Sequence, residues 1–206
     1  MIALFLSAFV TLFVVIDPPG CAPIFASLTQ GSDAAHRKAM AIRSTLVASA
    51  ILFVFALIGE DLLRTLGISL DAFRIAGGIM LFLIALEMVF EKRTQRRETR
   101  AAEVSRDPAH DDISIFPMGI PMIAGPGSIA TVMLLMARSN GLPESLIVLG
   151  ALGGIMVLML LSLLAASAIM RVLGPKLEAM ITRVLGVILA ALATQFVIDG
   201  LKASFA

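Results

Sequence analysis

The chain has 206 residues, 59% of them hydrophobic and 15% charged, with a formal net charge of +1 and a mean hydropathy of +0.99. Soluble domains carry about a quarter charged residues, so this balance excludes a water-soluble fold; at about 20 residues per spanning helix, the length admits six or seven spans and no separate soluble domain. A net charge of +1 gives no reason to expect nucleic acid, the lone Cys21 allows no internal disulfide, and His36 and His110 both fall in loops, so neither a metal site nor a cofactor is expected.

The first apolar run, Ile2 to Leu28, has no basic leader and no small-residue cleavage site before Asp17, and so reads as mature protein rather than a signal peptide. Its middle is interrupted by Asp17-Pro18-Pro19-Gly20-Cys21-Ala22-Pro23. Prolines there remove amide donors and clash with the preceding turn. Asp17 followed by Pro18 reads as an N-cap with proline in the first helical position, so one half-helix ends near Ile16 and a second runs to Leu28. Further spans are expected at Ser44 to Gly59 and Leu70 to Phe90. In the latter, Glu87 snorkels at one end, and Arg74 at the other can pair with Asp71.

A polar stretch, Glu91 to Asp112, follows and contains six of the basic residues. It reads as a solvated loop (91–112) separating a first unit, 1–90, from a second, 113–206. The fourth span, Ile113 to Ala137, is kinked at its entry by Pro117 and Pro121 and broken at Ala124-Gly125-Pro126-Gly127-Ser128. Spans at Ser145 to Met170 and Met180 to Ile198 complete six. Thr194 and Gln195 in the last are expected to bond between helices. Ala76-Gly77-Gly78 and Gly150 to Gly154 are small-residue patches for close helix approach, and the spacing of Gly150 and Gly154 also suits a homo-oligomer. The scattered methionines read as gap-fillers. Trp and Tyr are both absent, which leaves Phe to form any interfacial belt.

With six spans, the first, third and fifth loops carry three, six and three Lys and Arg, against Arg64, Arg74, Arg138 and Lys202 on the other side. The positive-inside rule then places the odd loops in the cytoplasm and both termini outside. Self-similarity appears at an offset of 107 residues: Leu63 to Phe73 resembles Met170 to Met180, and Pro19-Gly20 falls on Pro126-Gly127. Each half holds three spans, an odd number, so the second enters from the opposite face. Two inverted three-helix repeats, with the first and fourth helices broken, are an architecture of secondary transporters.

Unpaired backbone groups cost several kcal/mol in hydrocarbon, so two matched breaks point to a shared cavity. Half-helix N-termini suit a carboxylate and exposed carbonyls an ammonium or cation, a combination offered by an amino acid zwitterion. The candidate substrate contacts are Asp17, Pro18, Pro19, Gly20, Cys21 and Pro23 with Ala124, Gly125, Pro126, Gly127 and Ser128. Asp17 has a second reading as a plain N-cap. No histidine base or second carboxylate lies at comparable depth, which argues against an intramembrane enzyme built on Cys21 or Asp17.

The strings DPPGCAPIF, FRIAGGIMLFLIALEM and PMIAGPGSIATVM together resemble the MarC family of prokaryotic inner-membrane proteins, nearly end to end. That resemblance implies six spans with a broken helix in each inverted half, and similarity to transporters of small neutral amino acids such as glycine and alanine. The family commonly carries Asn where this chain has Cys21. The expectation is therefore an all-α, multi-pass inner-membrane secondary transporter working by alternating access, with the lipid bilayer and a small solute as partners and a proton or sodium ion for coupling. The alternatives are a structural or assembly membrane protein without transport, and an exporter of another small molecule.

Overall fold

The structure is a computed structural model that describes residues 1–90, 99 and 113–205, with the side chains of 171–176 and 178 outside the description. The loop expected over 91–112 falls outside the described residues, Thr99 apart. Among the described residues the helical segments, in chain order, are α1 (Ile2–Ile16), α2 (Pro18–Leu28), α3 (Ala34–Thr65), α4 (Leu70–Val89), α5 (Ser114–Ile123), α6 (Pro126–Ala137), α7 (Leu142–Leu164) and α8 (Ala166–Ser204). The starts carry the expected local signals. Asp33 accepts from the His36 amide at 2.7 Å to cap α3, Ser69 accepts from Ala72 at 3.1 Å to cap α4, and α2, α6 and α7 each open with proline in the first turn. The turn from α3 to α4 uses Gly67 at φ 69°, a left-handed backbone that lets the Ile68 amide return to Leu63 O at 2.9 Å.

Five of the described helical stretches are long and apolar enough to cross a membrane, and six if the bent pair α5–α6 counts as one span. Between 28% and 44% of each span's apolar window is buried, so the remaining apolar surface faces outward, as lipid requires and water would not allow. Leu46, Leu57, Leu83, Val157 and Val187 are among the residues on that outer surface.

One span differs from the sequence reading. The run Ser145 to Met170 is divided at Ala165, where α7 ends and α8 begins. Helix α8 is longer than the span it carries: it runs from Ala166 to Ser204, and its membrane-length apolar part, Ala179–Ser204, begins within a residue of the expected Met180.

The most extensive packing joins α4 to α8. Three glycines permit it: a Cβ added at Gly78 would stand 2.8 Å from Ala193 O, one at Gly186 2.9 Å from Met88 Cβ, and one at Gly200 3.0 Å from Asp71 O. In the patch from Gly150 to Gly154, close approach falls at Gly154, where an added Cβ would stand 3.2 Å from Phe9 Cε2 of α1, while Gly150 is exposed with nothing within 4 Å of its added Cβ. Elsewhere α1 packs on α7 and α5 on α3, while α2 and α6 each touch both α7 or α3 and α8 or α4. The larger core cluster gathers residues of α1, α2, α3, α5, α6 and α7, including Leu12, Phe25, Leu52 and Leu152. A smaller one joins Val14 and Val15 of α1 to Leu81, Leu134, Leu189 and Phe196. Methionine fills irregular gaps here as expected: Met133 lies over Gly59, 2.6 Å from where a Cβ would stand.

Candidate functional site

The break between α1 and α2 is a single residue. Asp17 has φ 60° and ψ 62°, the left-handed conformation that Asp and Asn tolerate better than most residues. It closes α1 by donating its amide to Phe13 O at 2.9 Å and opens α2 by accepting the Gly20 amide on Oδ1 at 3.1 Å. Both helical segments together run as one 27-residue span. Glycine is required at position 20 because a Cβ there would sit 2.3 Å from Asp17 Oδ2. At 1% exposure, Asp17 is the one charged residue buried among those described.

The second interruption takes a different form. Phe116 and Ile120 adopt extended dihedrals inside α5, as residues before proline prefer, and the peptide bonds to Pro117 and Pro121 are cis. Helix α6 then leaves at 53° to α5. Gly125 is the N-cap and supplies no side chain, and a Cβ there would lie 2.5 Å from Pro121 O. The sequence reading took both breaks as alike; the first preserves the helix direction and the second turns it.

Despite that difference, one detail recurs. Cys21 Sγ points to Ile16 O at 3.7 Å, and Ser128 Oγ donates to Ile123 O at 2.8 Å. Both pairs are related by the 107-residue offset, and in each a side chain five residues on covers the last carbonyl before the break. The two breaks also approach one another. The first turn of α6 lies against the last turn of α1, with an added Gly127 Cβ 2.5 Å from Ile84 Cδ1 and 3.8 Å from Val15 Cγ1. Of the candidate contacts, Asp17, Pro18, Gly20, Cys21, Ala124, Gly125, Gly127 and Ser128 are buried, Pro19 and Pro23 half-buried, and Pro126 exposed.

A scan against family models matches residues 2–205 to a model described as "MarC family integral membrane protein". The chain belongs to the MarC family. Its relatives include the UPF0056 membrane protein MJ1677 of Methanocaldococcus jannaschii, 37% identical over 202 residues and 96% of each chain. The UPF0056 membrane protein YvbG of Bacillus subtilis is 35% identical over 100% of this chain and 97% of its own. The UPF0056 inner membrane protein YhgN of Escherichia coli K12 is 35% identical over 96% and 95%. No solved structure matches.

Elsewhere in this MarC-family chain, a polar group forms at the end of the bundle away from the α7–α8 turn. Arg138, at the end of α6, pairs with Asp199 of α8 and lies 4.7 Å over the Phe196 ring. Gln195 Nε2 donates to the second Asp199 oxygen at 2.6 Å. Alongside, Arg74 pairs with Asp71 at 2.9 Å as expected, and Gly200 rests against both.

Sequence reasoning placed Arg138 among the outer charges without a partner. The signal that could have found Asp199 is its position at the matching end of the last span. Gln195 and Thr194 bond within α8, the latter to Ala190 O at 2.8 Å, rather than between helices. A helix carbonyl four residues back is always in reach of a threonine hydroxyl, whereas a neighbouring helix need not be. Glu87 is half-buried.

Proposed function

We propose that the chain is a secondary transporter of a small neutral amino acid, glycine or alanine being the first choices, working by alternating access of two inverted three-helix repeats. The repeat reading is supported by the packing pattern, which survives exchange of the halves: α1 on α7 corresponds to α5 on α3, and α2 on α8 to α6 on α4. It is supported also by the paired coverage of Ile16 O and Ile123 O by Cys21 and Ser128.

The observation that carries the substrate class is the unequal chemistry of two adjacent helix starts. Helix α2 has its own carboxylate, Asp17, over its first turn, whereas α6 begins at Gly125 with no side-chain acceptor. A substrate carboxylate completes the α6 start, where amides and the positive dipole end favour an anion. Its ammonium is matched by Asp17 and by the carbonyls of the preceding half-helix. The small residues Gly20, Cys21, Ala124 and Gly127 at the two starts favour a small side chain over a large one. Coupling to a proton or a sodium ion belongs to the same proposal, with Asp17 as the group that would respond to either.

The test is counterflow of labelled glycine and alanine by purified protein in liposomes. Exchange that saturates and is competed by the unlabelled amino acid supports the reading. A protein that neither exchanges nor binds either amino acid is an assembly protein, or an exporter of another small molecule.

A further inference from the structure

The start of α3 and the turn from α7 to α8 lie at the same end of the bundle and enclose a recess of about 370 Å³, lined by Arg37, Lys38, Ser167, Leu163, Leu164 and Ala168 among others. Arg37 Nη1 donates to Ser167 Oγ at 3.2 Å, which draws the guanidinium across the recess and joins the two helices there. No carboxylate lines it among the described residues. Asp33, one turn earlier on the chain, accepts the His36 amide on its Oδ1, and neither Arg37 nor Lys38 makes an ion pair among the described residues.

At the other end of α3 the balance is different. There a recess lined by Glu60, Leu63, Arg64, Ile68, Ser69 and Leu70 has its arginine bonded to Glu60 at 3.1 Å and close to Asp61. Among the described residues, positive charge without an ion-pair partner therefore belongs to the first recess.

Its depth is set by α7, whose 23 residues extend about 34 Å and so reach the headgroup level of a bilayer with a hydrocarbon core of about 30 Å. Its wall is apolar on the membrane side: Leu163 is buried while Leu161 and Leu164 face outward. Two cations, a hydroxyl and an apolar wall at headgroup depth match a phosphodiester with acyl chains descending beside it.

We propose that this recess seats the phosphodiester of an anionic phospholipid between Arg37, Lys38 and Ser167. The site stands apart from the transport reading and holds whether or not the chain carries amino acids. Lipid of this charge bridges α3 to the α7–α8 turn and fixes the spacing of two helices from different halves of the chain.

Native mass spectrometry of the full-length protein in mixed phosphatidylglycerol and phosphatidylcholine tests it. Retention of phosphatidylglycerol in preference is expected. Each basic residue beside an anionic lipid contributes about fivefold, so the pair Arg37→Gln with Lys38→Gln loses about thirtyfold in that preference. Lys38→Gln alone, at an exposed position where folding is not at stake, loses about fivefold. The charge-keeping pair Arg37→Lys with Lys38→Arg retains the preference, and Arg64→Gln at the opposite recess leaves it unchanged. Equal retention of the two lipids by the parent, an unaltered preference in Lys38→Gln, or an equal loss in Arg64→Gln overturns the proposal. Displacement of the lipid by inorganic phosphate identifies a free-phosphate site and overturns it as well.

Discussion

Asp17 carries two duties that substitution can separate. Asparagine keeps an N-cap acceptor and accepts the left-handed backbone, but removes the charge. Asp17→Asn is accordingly expected to melt in detergent like the parent and to lose counterflow, and normal counterflow would show that the carboxylate is only a cap. Asp17→Ala loses about 1 kcal/mol of capping and about another 1 kcal/mol for alanine at φ 60°, so it should be measurably less stable than the asparagine variant. The neighbouring glycines give a second contrast. Gly20→Ala drives a methyl into Asp17's carboxylate, whereas Gly127→Ala meets the far end of the Ile84 side chain, which can rotate aside. Transport should fall steeply in the first and modestly in the second, and the reverse order in counterflow would contradict the placement of Asp17. The cap itself was readable from Asp17-Pro18 in the sequence. The left-handed turn was not, because one residue's dihedral leaves no periodic trace.

Among the elements, the tight α4–α8 crossing is the most exposed to test. At Gly78 an added Cβ meets backbone, Ala193 O at 2.8 Å and Val197 N at 3.0 Å, and backbone cannot rotate away. Gly78→Ala is expected to destabilise the protein by about 2 kcal/mol through overpacking. Gly150→Ala, with open space around it, should leave stability unchanged or raise it by about 1 kcal/mol from helix propensity. Detergent melting of the two variants decides, and equal melting points would count against the crossing. The spans were legible because an uncharged run of bilayer length is too apolar for a helix facing water and too long for a buried strand, and the 107-residue offset aligned the two breaks. The irregular course of α5 was not. Pro117 and Pro121 announce an interruption, yet only the whole fold decides whether Phe116 and Ile120 kink a helix or leave it for extended dihedrals. The end of α7 at Ala165 was hidden for a related reason, since Ser145 to Met170 is apolar without a punctuating residue.

For the molecule as a whole, packing sorts the charges into two ends. Arg37 reaches Ser167 at one, while Arg74, Gly200, Arg138 and Asp199 gather at the other. The Lys and Arg count predicts that the end holding Arg37 faces the cytoplasm, and reporter fusions test it: an exported reporter should be active at Ala206 and a cytoplasmic one near Arg100. The opposite pattern reverses the orientation and every loop with it. Helix α3 adds a consequence of another kind. Arg43 and Glu60, both exposed, bound an uncharged stretch, Ser44 to Gly59, that measures about 24 Å at 1.5 Å per residue, against a hydrocarbon core of about 30 Å. A span shorter than its solvent is thick obliges the bilayer to pinch inward or Arg43 to stretch toward the headgroups. Acyl-chain length is then a control variable for this protein, and shorter-chain lipids should hold it under less deformation than long ones.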